Sequence, residues 1–250
     1  MYIMSSKIYI KKLPQPRLKR VDMKCDKLID KKLLKYPMVS DCFAFHHFTV
    51  ICGGMGSGKS SLIRSFFDDK ELWKKTYQNI IVVMPFASRN SLEKDIYECL
   101  PEEQQFGELT ADVLEKIIEM CKENSSEDEN TIVIIDDFQS VFKDKEVEKK
   151  MNELVLMMRH IHTSVVLLQQ NYKKLPATLR DLIFNLIIFN NLSKRALTQI
   201  FEEQFQDHSD KFLDILKIAF KEKHDWLCIN TKSKKIYRMF DEVVMPEIDN

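Results

Sequence analysis

Glycine is scarce in this chain, at five residues of 250. Four of the five are Gly53, Gly54, Gly56 and Gly58. Glycine reaches backbone conformations that other residues resist, so this clustering marks a specialised loop. Also missing is any apolar run of the ~20 residues that a membrane helix requires. Residues 1–10 lack the apolar core of a secretory signal. The expectation is a chain without a transmembrane segment or secretion signal, recruited to a membrane if it acts there. The six cysteines (Cys25, Cys42, Cys52, Cys99, Cys121 and Cys228) contain no C-x-x-C pair. They are expected to be reduced, mostly buried small hydrophobes, and the missing ligand pairs speak against a zinc finger. His46-His47, His160 and His162 are expected to pack rather than bind metal, because neighbours along a strand point to opposite faces.

Net charge is absent too, with 38 basic and 38 acidic residues. It is unevenly spread. Residues 1–35 hold eleven Lys/Arg against Asp22, Asp26 and Asp30, which gives +8 and leaves −8 for the remainder. A basic arm on an acidic body suits contact with nucleic acid or another acidic partner, and equally suits a solvated terminus. Hydrophobic residues at 44% and charged residues at 30% describe a globular chain. The expected organisation is a basic N-terminal extension over residues 1–40 and one α/β domain over residues 41–250.

Within that domain, short apolar runs alternate with segments of helical period. Strands are expected at 48–52, 80–84, 131–135, 165–168 and 186–189. Helices are expected at 59–67, 91–100, 109–121, 144–158, 193–204 and 209–221. Residues 123–130 read as a polar turn. Continuous β-branched runs separated by helices indicate a parallel sheet covered on both faces. Residues 226–230 and 236–240 read as a final strand pair with a turn at 231–234.

The glycine cluster forms Gly53-Gly54-Met55-Gly56-Ser57-Gly58-Lys59-Ser60, a match to G-x-x-x-x-G-K-[ST] at every fixed position. A strand precedes it and a helix follows, as a phosphate-binding (Walker A) loop requires. Glycines let successive N–H groups turn inward around phosphate oxygens, and the helix N-terminus adds partial positive charge. The pattern points to ATP. Lys59 is expected at the β- and γ-phosphates, Ser60 on Mg²⁺ and Ser61 at the α-phosphate.

Residues 131–138 read T-I-V-I-I-D-D-F. Alone, this could be a strand leading into an Asp-capped helix. Downstream of a complete Walker A loop it reads as Walker B. Asp136 is then expected at Mg²⁺ and Asp137 at the attacking water. An adjacent second acid points to an ATPase of the additional-strand type rather than a small-molecule kinase. Residues 158–170 lead into a further strand that ends in Gln169-Gln170. A glutamine there can hydrogen-bond the water or γ-phosphate. Alternation along a strand allows only one to face nucleotide, and Gln170 is preferred. Arg159 and Arg180 are candidate arginine fingers for a neighbouring subunit, since guanidinium binds phosphate bidentately. A surface or ion-paired arginine is the plainer alternative for each.

The Walker A loop, I-I-D-D, R-H before a strand and Q-Q at its end together resemble the FtsK–HerA superfamily. The likeness is nearer to its viral branch, the genome-packaging ATPases of poxviruses, other large DNA viruses and virophages. The segment Gln170-Asn-Tyr-Lys-Lys-Leu-Pro-Ala-Thr-Leu-Arg180 carries the discrimination, and the resemblance spans residues 46–191. It implies a RecA-like P-loop NTPase core with strand order 5-1-4-3-2 and a homo-oligomeric ring, hexameric by preference, that pumps double-stranded DNA. By resemblance, residues 53–60 bind nucleotide, Asp136 and Ser60 serve Mg²⁺, Asp137 activates water, Gln170 senses phosphate and Arg159 acts across the subunit interface. Many members carry Glu where this chain has Asp137, which shortens the reach to water. A capsid or vertex protein is a further implied partner, with the host cytoplasm (viral factory) and the virion as locations. Lys143–150 and Lys173-Lys174 are candidates for DNA contact, against solvated charged faces as the plainer reading. A helicase or DNA-transfer ATPase of the same superfamily, and a nucleotide-dependent assembly switch, are the alternative functions.

Overall fold

A computed structural model describes residues 27–89, 97–138, 141–204 and 212–244. The strands are β1 (Phe48–Cys52), β2 (Asn79–Val83), β3 (Gln105–Phe106), β4 (Thr131–Asp136), β5 (Thr163–Gln169), β6 (Asn185–Phe189), β7 (Trp226–Asn230), β8 (Ile236–Arg238) and β9 (Asp241–Glu242). The helices are α1 (Pro37–Phe43), α2 (Lys59–Asp68), α3 (Phe86–Arg89), α4 (Ala111–Ser126), α5 (Lys145–Met157), α6 (Ala177–Asp181), α7 (Lys194–Gln204) and α8 (Phe212–Ala219). Short 3-10 turns fill several of the connections.

The strands form one nine-stranded sheet in the order β3-β2-β4-β5-β1-β6-β7-β8-β9. Its five long parallel strands, counted alone, run β6-β1-β5-β4-β2, so the expected 5-1-4-3-2 order lies within a larger sheet. The expected final strand pair is present, with β7 antiparallel to β8 in the register Leu227↔Arg238 to Ile229↔Ile236. β7 pairs antiparallel with β6 in the register Phe189↔Trp226 to Asn185↔Asn230, so the tail extends the main sheet. The apolar run of β7 is buried throughout, which it achieves by lying beside β6 rather than standing apart.

β1, β5 and β6 are buried at every position, as expected of parallel strands covered on both faces. Successive side chains divide between two cores. Val50, Val133 and Val165 pack with Leu114, Ile117, Met151 and Leu154 of α4 and α5 on one face. Ile51, Ile134 and Val166 pack with Phe43, Ile63, Phe66 and Trp73 on the other.

Several boundaries differ from expectation. Thr110 caps α4 by accepting from the Val113 N–H at 3.2 Å, an interaction typically worth about 1 kcal/mol. The helix then runs on to Ser126, into the stretch expected to be a polar turn. Part of the helix expected at 91–100 lies outside the described residues, and 97–100 form a turn. Of the helix expected at 209–221, Phe212–Ala219 form α8, and residues 220 and 221 lie beyond its end. Part of the segment expected as an extension packs against the domain. Ile29, Leu33, Met38 and Val39 are buried in the second core, because the basic segment also carries apolar residues at helical spacing. Residues 1–26, including most of the basic arm and Cys25, lie outside the described residues.

Connections leave β1 on both sides. The chain passes from β1 through α2 to β2, returns through β4 and β5, then crosses to β6 on the far side of β1. In open α/β sheets the crevice at the carboxyl ends of such flanking strands is where ligands bind.

Candidate functional site

The loop at residues 53–58 leaves the carboxyl end of β1 at this crevice. Gly58 adopts φ +106 as the cap of α2, a left-handed conformation that side chains resist. At Gly53 the constraint is steric: an added Cβ would lie 2.5 Å from Ser57 Oγ and 3.0 Å from Phe189 Cβ. The Gly54 N–H donates to Asn191 Oδ1 at 2.8 Å, which ties the loop to the chain just after β6. His224 sits on the same side, with its Nδ1 3.1 Å from the Ser57 carbonyl oxygen. A carbonyl only accepts, so Nδ1 carries the proton.

Lys59 Nζ donates to the carbonyls of Gly53 at 2.7 Å and Gly54 at 3.1 Å, at the mouth of the loop. Burial lowers its pKa, against the raising influence of Asp136, Cys52 and Asp137. Ser57 Oγ is buried in the loop with no hydrogen-bond partner among protein atoms. Buried hydroxyls normally have partners, so a phosphate oxygen arriving in the loop fits this orphan. Met55, at the tip, is 86% exposed, so within the loop only its backbone is placed to contribute.

Ser60 Oγ donates to Asp136 Oδ2 at 3.1 Å, joining the first turn of α2 to the end of β4. Burial pushes the Asp136 carboxyl up to about 6, opposed by the Ser60 hydrogen bond and the Lys59 charge and assisted by Asp137. A hydroxyl and a carboxylate at this spacing are hard oxygen donors of the kind Mg²⁺ takes alongside phosphate and water. Among the described residues no cluster of three or more His, Cys, Asp or Glu is arranged to hold a metal. The Ser60–Asp136 pair is therefore the place where the donor set fits such an ion.

Asp137 follows at φ +68, which turns its carboxylate away from the strand path. Its Oδ1 accepts from Gln170 Nε2 at 3.3 Å and its Oδ2 from Ser88 Oγ at 2.9 Å. Gln169 faces the interior instead, 1% exposed, with Nε2 3.5 Å from the Phe138 carbonyl. The structure thus brings Lys59, Ser60, Asp136, Asp137 and Gln170 together at the carboxyl ends of three adjacent strands. Gln169 is not among them. Ser61 lies on the first turn of α2, exposed beside the loop.

The two arginines lie elsewhere. Arg180 Nε donates to Glu203 Oε2 at 3.0 Å and its Nη1 to the Leu175 carbonyl at 2.6 Å, over the Tyr172 ring. It is an intrachain brace between α6 and α7. Arg159 is exposed in the turn before β5. At roughly 3.3 Å per residue, β5 separates that turn from its own nucleotide crevice by about 20 Å. The lysines considered for DNA contact are partly engaged: Lys150 Nζ is 3.0 Å from Glu115 and Lys145 Nζ 2.8 Å from Glu148. His46 and His47 are buried, with His47 Nδ1 2.9 Å from Thr49 Oγ1 and the His46 ring stacked on His162 at 5.8 Å.

Ser88, Asn191 and His224 were not singled out by sequence reasoning. Each reaches the site through a contact spanning at least 49 positions of chain, and no local pattern announces that.

A Walker A loop after β1, with its serine on the acid that ends the Walker B strand β4 and with β5 inserted between the two strands, defines a P-loop ATPase of the additional-strand class, and with the family match it is of the FtsK–HerA type. The chain belongs to the poxvirus A32 protein family, which it matches over residues 40–244. No curated protein matches its sequence. Among solved structures it is similar to the DNA-packaging ATPase B204 from Sulfolobus turreted icosahedral virus, at 19% identity over 76% of this chain and 95% of that one, with a TM-score of 0.59. It is also similar to the genome packaging NTPase B204 from Sulfolobus turreted icosahedral virus 2 in complex with ATP-gammaS, at 17% identity, 77% and 96% coverage and a TM-score of 0.58. The AMPPCP complex of that NTPase gives 15% identity, 80% and 99% coverage and a TM-score of 0.57. At these identities the likeness is one of fold.

Proposed function

We propose that this chain hydrolyses ATP to ADP and phosphate, and uses the turnover to move double-stranded DNA into a viral capsid. The observation that carries the reading is the Ser60–Asp136 contact at 3.1 Å with the Asp137–Gln170 pair beside it. Residues 53–61 would hold the phosphates, with Lys59 Nζ exchanging the Gly53 and Gly54 carbonyls for β- and γ-phosphate oxygens. Mg²⁺ held by Ser60 and Asp136 would neutralise charge developing on the transferred phosphoryl group. Asp137 is placed to accept a proton from the attacking water, and Gln170 to orient that water or sense the γ-phosphate. In this reading Gln169 has no catalytic part.

Arg159 serves a neighbouring subunit's site in a ring, hexameric by preference, since it lies too far from its own. Arg180 is assigned to the intrachain brace. Loss of the γ-phosphate would release contacts at Gln170 and at the partner's arginine, and so couple hydrolysis to movement. DNA would be held through its phosphates, as a pump that accepts any sequence requires. Membership of the poxvirus A32 protein family supports the packaging role and a viral-factory or virion location, with a capsid or vertex protein as docking partner.

The test is steady-state ATP turnover with and without linear double-stranded DNA, with Lys59→Ala as the blank. Stimulation by DNA that the variant lacks is expected. Turnover indifferent to DNA in a preparation shown to be a ring would overturn the motor in favour of an assembly switch.

A further inference from the structure

A cavity of about 540 Å³ lies away from the nucleotide crevice, with Phe67, Trp73, Tyr77, Ile80, Tyr97 and Leu100 in its walls. Ile80 stands at the start of β2, so the cavity lies toward the amino ends of the parallel strands, whereas Lys59 and Asp136 stand at their carboxyl ends. Its size and its aromatic and aliphatic walls are those of a binding pocket. Trp73 is 1% exposed, and its Nε1 has no hydrogen-bond partner among the described residues. An indole N–H can only donate, and buried donors normally have partners. An occupant that brings an acceptor therefore fits this place. The catalytic arrangement uses none of these groups.

We propose that this cavity receives the Tyr9 side chain of the chain's own N-terminal arm. Three observations point to that occupant. The first is place. Lys27, the first described residue, donates to Asp128 Oδ1 at 2.8 Å. Glu129, next to it, accepts from Asn79 Nδ2 at 2.6 Å, and Asn79 precedes Ile80 of the cavity wall. A few residues on, Lys32 Nζ donates to the carbonyl of Lys74, which also lines the cavity. The arm thus joins the fold at the cavity's border. The second is continuity. Ile29, Leu33, Met38 and Val39 pack in the same core as Trp73, Tyr77 and Tyr97, so an apolar side chain from upstream extends an existing interface. The third is chemistry. Ile8-Tyr9-Ile10 is an apolar cluster within the basic arm. The tyrosine oxygen can accept from Trp73 Nε1, and its ring matches the aromatic walls. Lys74 and Lys75 share the rim with Asp68 and Glu98, so Lys7, Lys11 and Lys12 beside the cluster have carboxylates to meet. Ile10 lies 17 positions before Lys27, a tether that spans up to roughly 55 Å when extended. Such a tether holds its end at an effective concentration of roughly millimolar, so even weak contact fills the site. The other apolar cluster, Tyr2-Ile3-Met4, closes a longer loop and is disfavoured to that extent.

Cys99 is exposed and lines the cavity, so it serves as a native reporter. The experiment follows alkylation of Cys99 by N-ethylmaleimide, resolved from the other cysteines by peptide mass spectrometry. It compares the full chain with full-length Tyr9→Ala, Tyr9→Phe and Tyr2→Ala variants, and thermal melts confirm that each is folded. Tyr9→Ala is expected to speed Cys99 modification roughly tenfold, Tyr9→Phe, which keeps the ring and loses the acceptor, about threefold, and Tyr2→Ala less than about twofold. A synthetic peptide of residues 4–14 in excess should restore protection to the Tyr9→Ala chain. Equal rates in the unaltered and Tyr9→Ala chains would overturn the docking. Equal acceleration by Tyr2→Ala would overturn the assignment to Tyr9. Protection that disappears on dilution would give the cavity to a neighbouring copy's arm, which overturns the assignment to the chain's own.

Discussion

Gln170 donates from Nε2 to Asp137 Oδ1 across 3.3 Å, joining the ends of β5 and β4, while Gln169 beside it is 1% exposed in the interior. Two adjacent and chemically identical side chains therefore have different surroundings, and the proposed function assigns a part to Gln170 alone. Gln170→Ala is expected to cut ATP turnover about 10- to 100-fold and leave the melting temperature within a degree or so. Gln169→Ala should lower stability by about 1–3 kcal/mol with turnover per folded molecule largely kept. Thermal melts alongside steady-state kinetics check both, and the reverse pattern would refute the assignment.

The arginines divide in the same way. Arg180→Ala breaks the brace to Glu203, whose side chains are 17% and 30% exposed, and should lower the melting temperature by several degrees. Arg159→Ala should reduce turnover by about 10³-fold. Mixing Arg159→Ala with Lys59→Ala subunits should restore part of the activity, because each supplies what the other's interface lacks. Failure of the mixture to exceed the sum of its parts would exclude a role across subunits.

Burial imposes a cost on Asp136. Its pKa lies at about 6 in the fold against 3.8 in a solvated chain, chiefly through burial. The folded state thus holds this proton to higher pH, and the contribution to stability declines from pH 3.8 to about 6. Above that the ionised form costs up to about 3 kcal/mol at roughly 1.4 kcal/mol per pH unit. Asp136→Asn should therefore melt higher than the parent at pH 7.5 while losing Mg²⁺-dependent turnover. A lower melting temperature would contradict this.

Acid should unfold the protein through His46 and His47. Burial holds them at about 4 and about 3, with a neighbouring histidine adding to each. An unfolded histidine titrates near 6.5, so between about 4 and 6.5 the unfolded chain binds more protons and stability rises with pH. Melting temperature should fall as pH drops from about 6.5 towards 4, at up to about 1.4 kcal/mol per pH unit for each histidine. His46→Phe, which removes one titrating ring, should flatten that slope when melts are run across the range.

The phosphate loop and the Walker B strand were legible because each is a contiguous run with its own signature, and the continuous apolar strands announced a covered parallel sheet. Alternation along β5 allowed only one of the two glutamines to face the crevice, and it is Gln170 that meets Asp137. What escaped was whatever depends on distant chain: Ser88 against Asp137, Asn191 against Gly54 and His224 against Ser57. Two-residue strands such as β3 and β9 carry no period at all. The buried role of Ile29 and Leu33 was hidden beneath the basic charge around them. Arg159 and Arg180 looked alike as residues, and the contacts of Arg180 to Glu203 and the Leu175 carbonyl come from distant chain or from a turn that no pattern announces.

Both borders of the sheet, among the described residues, are strands of two residues: Gln105 and Phe106 on one side, the exposed acids Asp241 and Glu242 on the other. Short or charged margins offer little template for backbone pairing. In the proposed ring, neighbouring copies would then be joined through helix and loop surfaces rather than by zipping their sheets into one, and surfaces of that kind could slide and rock at each turnover without a ladder of amide bonds being broken.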